Sequence, residues 1–101
     1  MEDQKIVALL FERSEQGMTE LIGKYGKLLY RIAGNILGNA QDAEECASDT
    51  YLDVWNAIPP EHPSCLSAYL ARITRNLALD KRSYNLAGKR STELERFPAR
   101  L

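Results

Sequence analysis

Thr19-Glu20-Leu21-Ile22-Gly23-Lys24-Tyr25-Gly26-Lys27-Leu28-Leu29-Tyr30-Arg31-Ile32-Ala33-Gly34-Asn35-Ile36-Leu37-Gly38 decides the fold class. Its apolar residues fall at Leu21, Ile22, Tyr25, Leu28, Leu29, Ile32, Ala33 and Ile36, the spacing that keeps one face of a helix apolar. The spacing predicts a helix over about 19–37, with Gly38 as a left-handed cap and Asn39 free to cap the next helix. No run anywhere in the chain alternates with period two, so a sheet is not expected.

Working outward, Ile6, Val7, Leu9 and Leu10 predict a first helix over about 3–13, ended by Ser14-Glu15-Gln16-Gly17. A third is predicted over about 40–58, between Asn39 and Pro59-Pro60, with Ala43, Ala47, Thr50, Tyr51, Val54, Trp55 and Ile58 as its buried stripe. Asp42, Glu44 and Glu45 sit in its first turns, where the helix dipole favours negative charge. Pro59, Pro60 and Pro63 stiffen the loop that follows. Ser64 or Ser67 can cap a fourth helix running to about 84 on the stripe Leu66, Tyr69, Leu70, Ile73 and Leu77. The expectation is an all-α, compact bundle of about four helices over 1–87, with 88–101 a basic tail or linker.

Length and composition agree with one such domain. The 101 residues, of which 45% are hydrophobic and 27% charged, suffice for a single modest core. No stretch approaches a membrane span, the acidic start is unlike a signal peptide, and two cysteines fit a reducing cytoplasm rather than a disulfide framework. The formal net charge of −1 at first disfavours nucleic acid, but it hides a segregation. Residues 1–38 are neutral, 39–71 carry six acids and no base, and 72–101 carry eight bases against three acids. Such asymmetry suggests one basic and one acidic partner; the plain alternative is two solvated helix faces.

Two faces are candidates for binding. Glu45, Ser48, Asp49, Leu52 and Asn56 share a stripe opposite the expected core, acidic with one leucine at its middle. That face suits a basic partner helix, or is ordinary surface on which a lone leucine needs no explanation. On helix four, Arg72, Arg75, Arg82 and Lys81 are expected to project away from the apolar stripe, a row of cations suited to a phosphate backbone. Tyr69, Asn76 and Asp80 flank that stripe. Tyr69 offers a stacking ring and Asn76 a donor and acceptor, unless Asn76 and Asp80 satisfy each other and Tyr69 is core.

Catalysis finds little support. His62 is the sole histidine, and with Cys65 and Cys46 it makes at most three soft ligands, short of a structural zinc set. No glycine-rich phosphate loop, nucleophile elbow or paired carboxylates are visible, so neither enzyme activity nor a cofactor is expected. A helical adaptor module without DNA binding is the rival reading.

Three segments resemble region 2 of bacterial RNA polymerase sigma factors of the extracytoplasmic-function type. Tyr25–Ala33 with Ile36-Leu37-Gly38 is similar to its first helical segment, and Asp42–Glu45 through Thr50–Trp55 to its core-binding segment. Ala68–Asp80 is similar to its promoter-recognition helix, where the family often has tryptophan in place of Tyr69. Together they span about 3–84 in the family's order. The resemblance implies that Glu45, Ser48, Asp49, Leu52 and Asn56 dock on the clamp coiled coil of the largest polymerase subunit. It also implies that Glu61, His62, Ser64, Cys65 and Leu66 of the loop, with Tyr69, Arg72, Arg75, Asn76 and Arg82, engage the single-stranded non-template strand of the minus-ten promoter element. An anti-sigma factor is a further partner that such proteins can have.

There are departures. Ser48-Asp49 stands where the family commonly has Gln-Glu, and the proline-rich loop is unusual, so the promoter sequence does not follow. The helix-turn-helix domain that reads the minus-thirty-five element would lie downstream of Leu101, as expected for an excised domain or a truncated protein.

Overall fold

The computed structural model describes residues 1–95, with side chains to Ala87. Four helices follow one another: α1 (Asp3–Phe11), α2 (Glu15–Leu37), α3 (Ala40–Ala57) and α4 (Leu66–Glu95). No strand occurs among the described residues. α2 packs against each of the other three, as its central apolar face requires.

The main core gathers Ile6, Leu10, Leu21, Leu29, Val54, Ile58, Leu66 and Leu70, all fully or almost fully buried. A smaller cluster of Ala33, Ala43, Cys46 and Ala78 joins α2, α3 and α4 through short side chains. Between α3 and α4, the buried Thr50 and Thr74 hydroxyls lie 2.9 Å apart, and Thr50 also donates to the Cys46 carbonyl at 2.9 Å. A buried hydroxyl needs such a partner, and here each helix supplies one.

The boundaries have local causes. Gly38 adopts φ 78° and donates its N–H to the Gly34 carbonyl, while Asn39 Oδ1 accepts the Asp42 N–H at 2.8 Å. Both caps are where the sequence predicts them. The start of α2 is not. It begins at Glu15 because the turn is made by Arg13 in the left-handed region (φ 59°), and Gly17 lies inside α2 against Leu9 and Leu10. A side chain at 17 would meet Leu9 Cβ at 3.0 Å, so glycine there permits close helix packing rather than ending a helix. Ile22, assigned to the buried face of α2, is exposed.

α4 continues past its expected end near Tyr84 to Glu95, so the backbone of 88–95 is helical where a tail was expected. Polar contacts replace the fading apolar stripe: Lys81 Nζ lies 2.8 Å from Glu45 Oε1, and Asn85 donates to Asp42 at 3.2 Å. A single interior glycine, Gly88, costs only about 1 kcal/mol and does not stop a helix. The rest of the expected tail, 96–101, lies outside the described residues.

Candidate polymerase and nucleic-acid interface

On α3, Glu45, Ser48, Asp49, Leu52 and Asn56 are all exposed, Leu52 at 60%. The buried side of the same helix is held by Ala43, Cys46, Ala47, Thr50 and Val54, which leaves the acidic stripe no choice but to face outward. Its members differ, however. Glu45 is engaged by Lys81, whereas Asp49 has no hydrogen bond or ion pair among the described residues. The free part of the face is therefore Ser48, Asp49, Leu52 and Asn56.

On α4, Arg72, Arg75 and Arg82 are exposed and make no ion pair among the described residues. Lys81 does not belong with them. It lies nine residues after Arg72, about half a turn round the helix, and points back to Glu45 and, at 3.9 Å, Asp42. The bond to Glu45 raises its pKa above the ordinary lysine value.

The loop between α3 and α4 is tied down from three sides. Arg13 donates to the carbonyls of Trp55 and, at 3.2 Å, Ile58, and its guanidinium carbon sits 3.8 Å above the Trp55 ring centre. His62 packs on Phe11 with ring centres 5.2 Å apart. Tyr69 donates to Glu61 Oε1 at 2.8 Å. Leu66, expected to act with the strand-binding residues, is only 2% exposed. It is a core side chain at the start of α4, because its apolar surface is better buried beneath the loop than presented to a charged strand.

Two concavities flank Tyr69. One, of about 310 Å³, is lined by Pro63, Ser64, Cys65, Ala68, Tyr69 and Arg72. The other, of about 560 Å³ between α3 and α4, is lined by Asp53, Ala57, Glu61, Tyr69, Arg72, Ile73 and Asn76. The structure thus brings Glu61, Tyr69, Arg72 and Asn76 together, while Arg75 and Arg82 stand along the helix away from this groove. Asn76 makes no hydrogen bond to Asp80 among the described residues, so its amide is open to the groove. Asp53 was not among the expected site residues. It lies four residues after Asp49, at the edge of the acidic stripe, and only the packing of α3 on α4 turns that edge into a groove wall.

The groove's charges act on one another. Burial, the bond to Glu61 and the charges of Glu61 and Asp53 push the Tyr69 hydroxyl up to about 12, so it remains a protonated donor at neutral pH. Cys65, exposed just before α4, is held below the usual thiol value by hydrogen bonds from Ser67 and the Ala68 backbone. Cys46 is pushed up by burial.

The comparisons with known proteins coincide with this geometry. A family model described as sigma-70 region 2 matches residues 21–85, a span covering the acidic face, the loop and the cationic row. The extracytoplasmic-function RNA polymerase sigma factor SigE of Mycolicibacterium smegmatis is 34% identical over 61 residues, 60% of this chain and 24% of that protein. The chain thus matches only about a quarter of the length of this relative. No solved structure matches. With most of the chain under the family model and the helices in the order the motifs require, the chain belongs to the sigma-70 region 2 family.

Proposed function

We propose that this domain serves transcription initiation by binding alone, joining core RNA polymerase to the opened minus-ten element. α3 docks on the clamp coiled coil of the largest subunit through Leu52 as an apolar anchor, with Ser48, Asp49 and Asn56 around it. α4 and the loop before it hold the displaced non-template strand. Arg72, Arg75 and Arg82 follow the phosphates, and Tyr69 and Asn76 meet bases. The segment after Ala87 begins the connection to a second DNA-reading domain, and the site of action is the cytoplasm, where polymerase works.

One observation carries the reading. An exposed acidic face on α3 and a row of guanidiniums on α4, without an ion pair among the described residues, occupy neighbouring helices, and Asp53 and Arg72 face each other across a groove of mixed polar and aromatic lining between them. A charge pattern that looked nearly neutral in sum is in space two opposite surfaces, one for each partner.

The test is retention of core polymerase by the immobilised chain. Leu52→Ala combined with Asp49→Lys is expected to abolish retention while leaving the helical circular-dichroism signal unchanged. Undiminished affinity for the clamp coiled coil would refute the docking assignment. In the polymerase complex, binding of promoter strand falls steeply with salt, and Asn76→Ala weakens selective binding more than nonspecific binding. Equal loss on all sequences would make Asn76 structural or a backbone contact only.

A further inference from the structure

The groove between α3 and α4 has a lining that strand binding alone does not explain. Phosphates would be met by cations, yet two carboxylates, Asp53 and Glu61, stand in its walls beside the single cation Arg72. Asp53 has no hydrogen bond or ion pair among the described residues, and Glu61 receives only the Tyr69 hydroxyl, on Oε1. Both Asp53 oxygens and Glu61 Oε2 therefore remain as open acceptors. The apolar side chains Ala57 and Ile73 and the Tyr69 ring provide surfaces on which a flat ring can lie.

We infer that Asp53 and Glu61 are specificity-determining residues that select, in this groove, a base carrying an exocyclic amino group and reject thymine. This deepens the proposed function and rests on it. Adenine, cytosine and guanine each present an amino donor, and guanine adds a ring N–H beside it. Thymine presents one ring N–H between two carbonyl oxygens, and a carboxylate approaching that edge meets two further acceptors whose lone pairs repel it. Arg72 and the Asn76 amide answer the acceptors that an amino-bearing base also displays. Tyr69 holds Glu61 in place from the other side, and because Tyr69 is the donor, the bond survives replacement of the carboxylate by an amide.

That last point makes the test clean. Glu61→Gln retains an oxygen for the Tyr69 hydroxyl, and Asp53→Asn alters an exposed helical side chain, so neither change threatens the fold. The chain, bound to core polymerase, is offered a pool of single-stranded oligonucleotides randomised over the minus-ten region, and retained strands are sequenced. At least one position should exclude thymine by about tenfold, the scale of one good base-edge contact. Each substitution should reduce that exclusion severalfold at this position while preferences elsewhere persist. Total affinity should rise in both variants through the lost negative charge, which is why the ratio between bases is the readout. No exclusion of thymine at any position, or an exclusion unchanged in both variants, overturns the inference while leaving the proposed function standing. A complex that retains no strand at all overturns both.

Discussion

Replacement of Arg13 tests how the loop between α3 and α4 is held. In a helix the carbonyl of residue i accepts the N–H of residue i+4. At the end of α3 the partners of Trp55 and Asn56 would be residues 59 and 60, and both are prolines without an N–H. Arg13 reaches across 42 residues to fill the first of these gaps, donating to Trp55 O, and it also donates to Ile58 O and stacks on the Trp55 ring. A hydrogen bond to a charged donor contributes roughly 1.5–3 kcal/mol, and the low end applies because Arg13 is exposed and water can replace it in part. Stacking of an exposed cation on an indole adds about 0.5–1 kcal/mol. Arg13→Ala should therefore cost about 2 kcal/mol, which for a domain of this size lowers Tm by roughly 8–16 °C.

Arg13 also sits at φ 59°, a conformation costing a residue with a side chain about 1 kcal/mol. Arg13→Gly loses the same contacts but relieves that cost, so it should lie between wild type and Arg13→Ala in thermal denaturation followed by circular dichroism. Two results would refute the reasoning. A Tm for Arg13→Ala within about 2 °C of wild type would mean that the guanidinium holds nothing. An Arg13→Gly variant less stable than Arg13→Ala would mean that the left-handed backbone is not maintained.

Three further perturbations follow from the packing. Gly17→Ala should destabilise by about 1–3 kcal/mol because its Cβ meets Leu9 and Leu10, whereas Gly23→Ala, with open space around it, should stabilise by about 0.5–1 kcal/mol; urea denaturation of the pair decides. Thr50→Val leaves the buried Thr74 hydroxyl without its partner, so Thr50→Val and Thr74→Val together should cost less than the sum of the single changes by at least about 0.5 kcal/mol. Additive losses would show that the hydroxyls are not coupled. Tyr25 donates to Asp3 at 2.7 Å, and burial and that bond raise its hydroxyl to about 12. A folded pKa above the unfolded one gives stability that is complete below about pH 10 and lost as pH rises toward 12, so alkaline unfolding in that window should be blunted in Tyr25→Phe.

Periodicity exposed four helices and two of their caps because both signals are local: a repeat of apolar residues, and glycine or asparagine at a required backbone position. Gly17 shows the limit. As a sequence signal it reads as a helix breaker, and only the close approach of α1 explains why it is helical and buried. α4 shows the same limit at its far end. Its apolar stripe fades near Tyr84, where Lys81 and Asn85 instead meet acids some forty residues earlier, partners that no local window contains. Asp53 was invisible as a site residue for a related reason, since a groove wall is a property of two helices.

Lys81 also bears on how the segregated charge should be read. Counting residues along the chain assigns it to a cationic surface and assigns Asp42 and Glu45 to an acidic one, yet the fold closes these groups on each other. The middle and final segments thus neutralise one another partly within the molecule, at the end of the bundle beyond the apolar stripe. What remains unpaired on these two faces among the described residues is smaller and more sharply placed: Asp49 beside Leu52 on one helix, and Arg72, Arg75 and Arg82 on the other. An exposed ion pair contributes little stability, about 0–1 kcal/mol, so the register of α4 against α3 is set by the buried contacts, Thr50 on Thr74 and Ala43 and Cys46 in one cluster with Ala78. That register sets Tyr69, Arg72 and Asn76 opposite Asp53, and so builds the groove from two helices whose separate sequences give no sign of it.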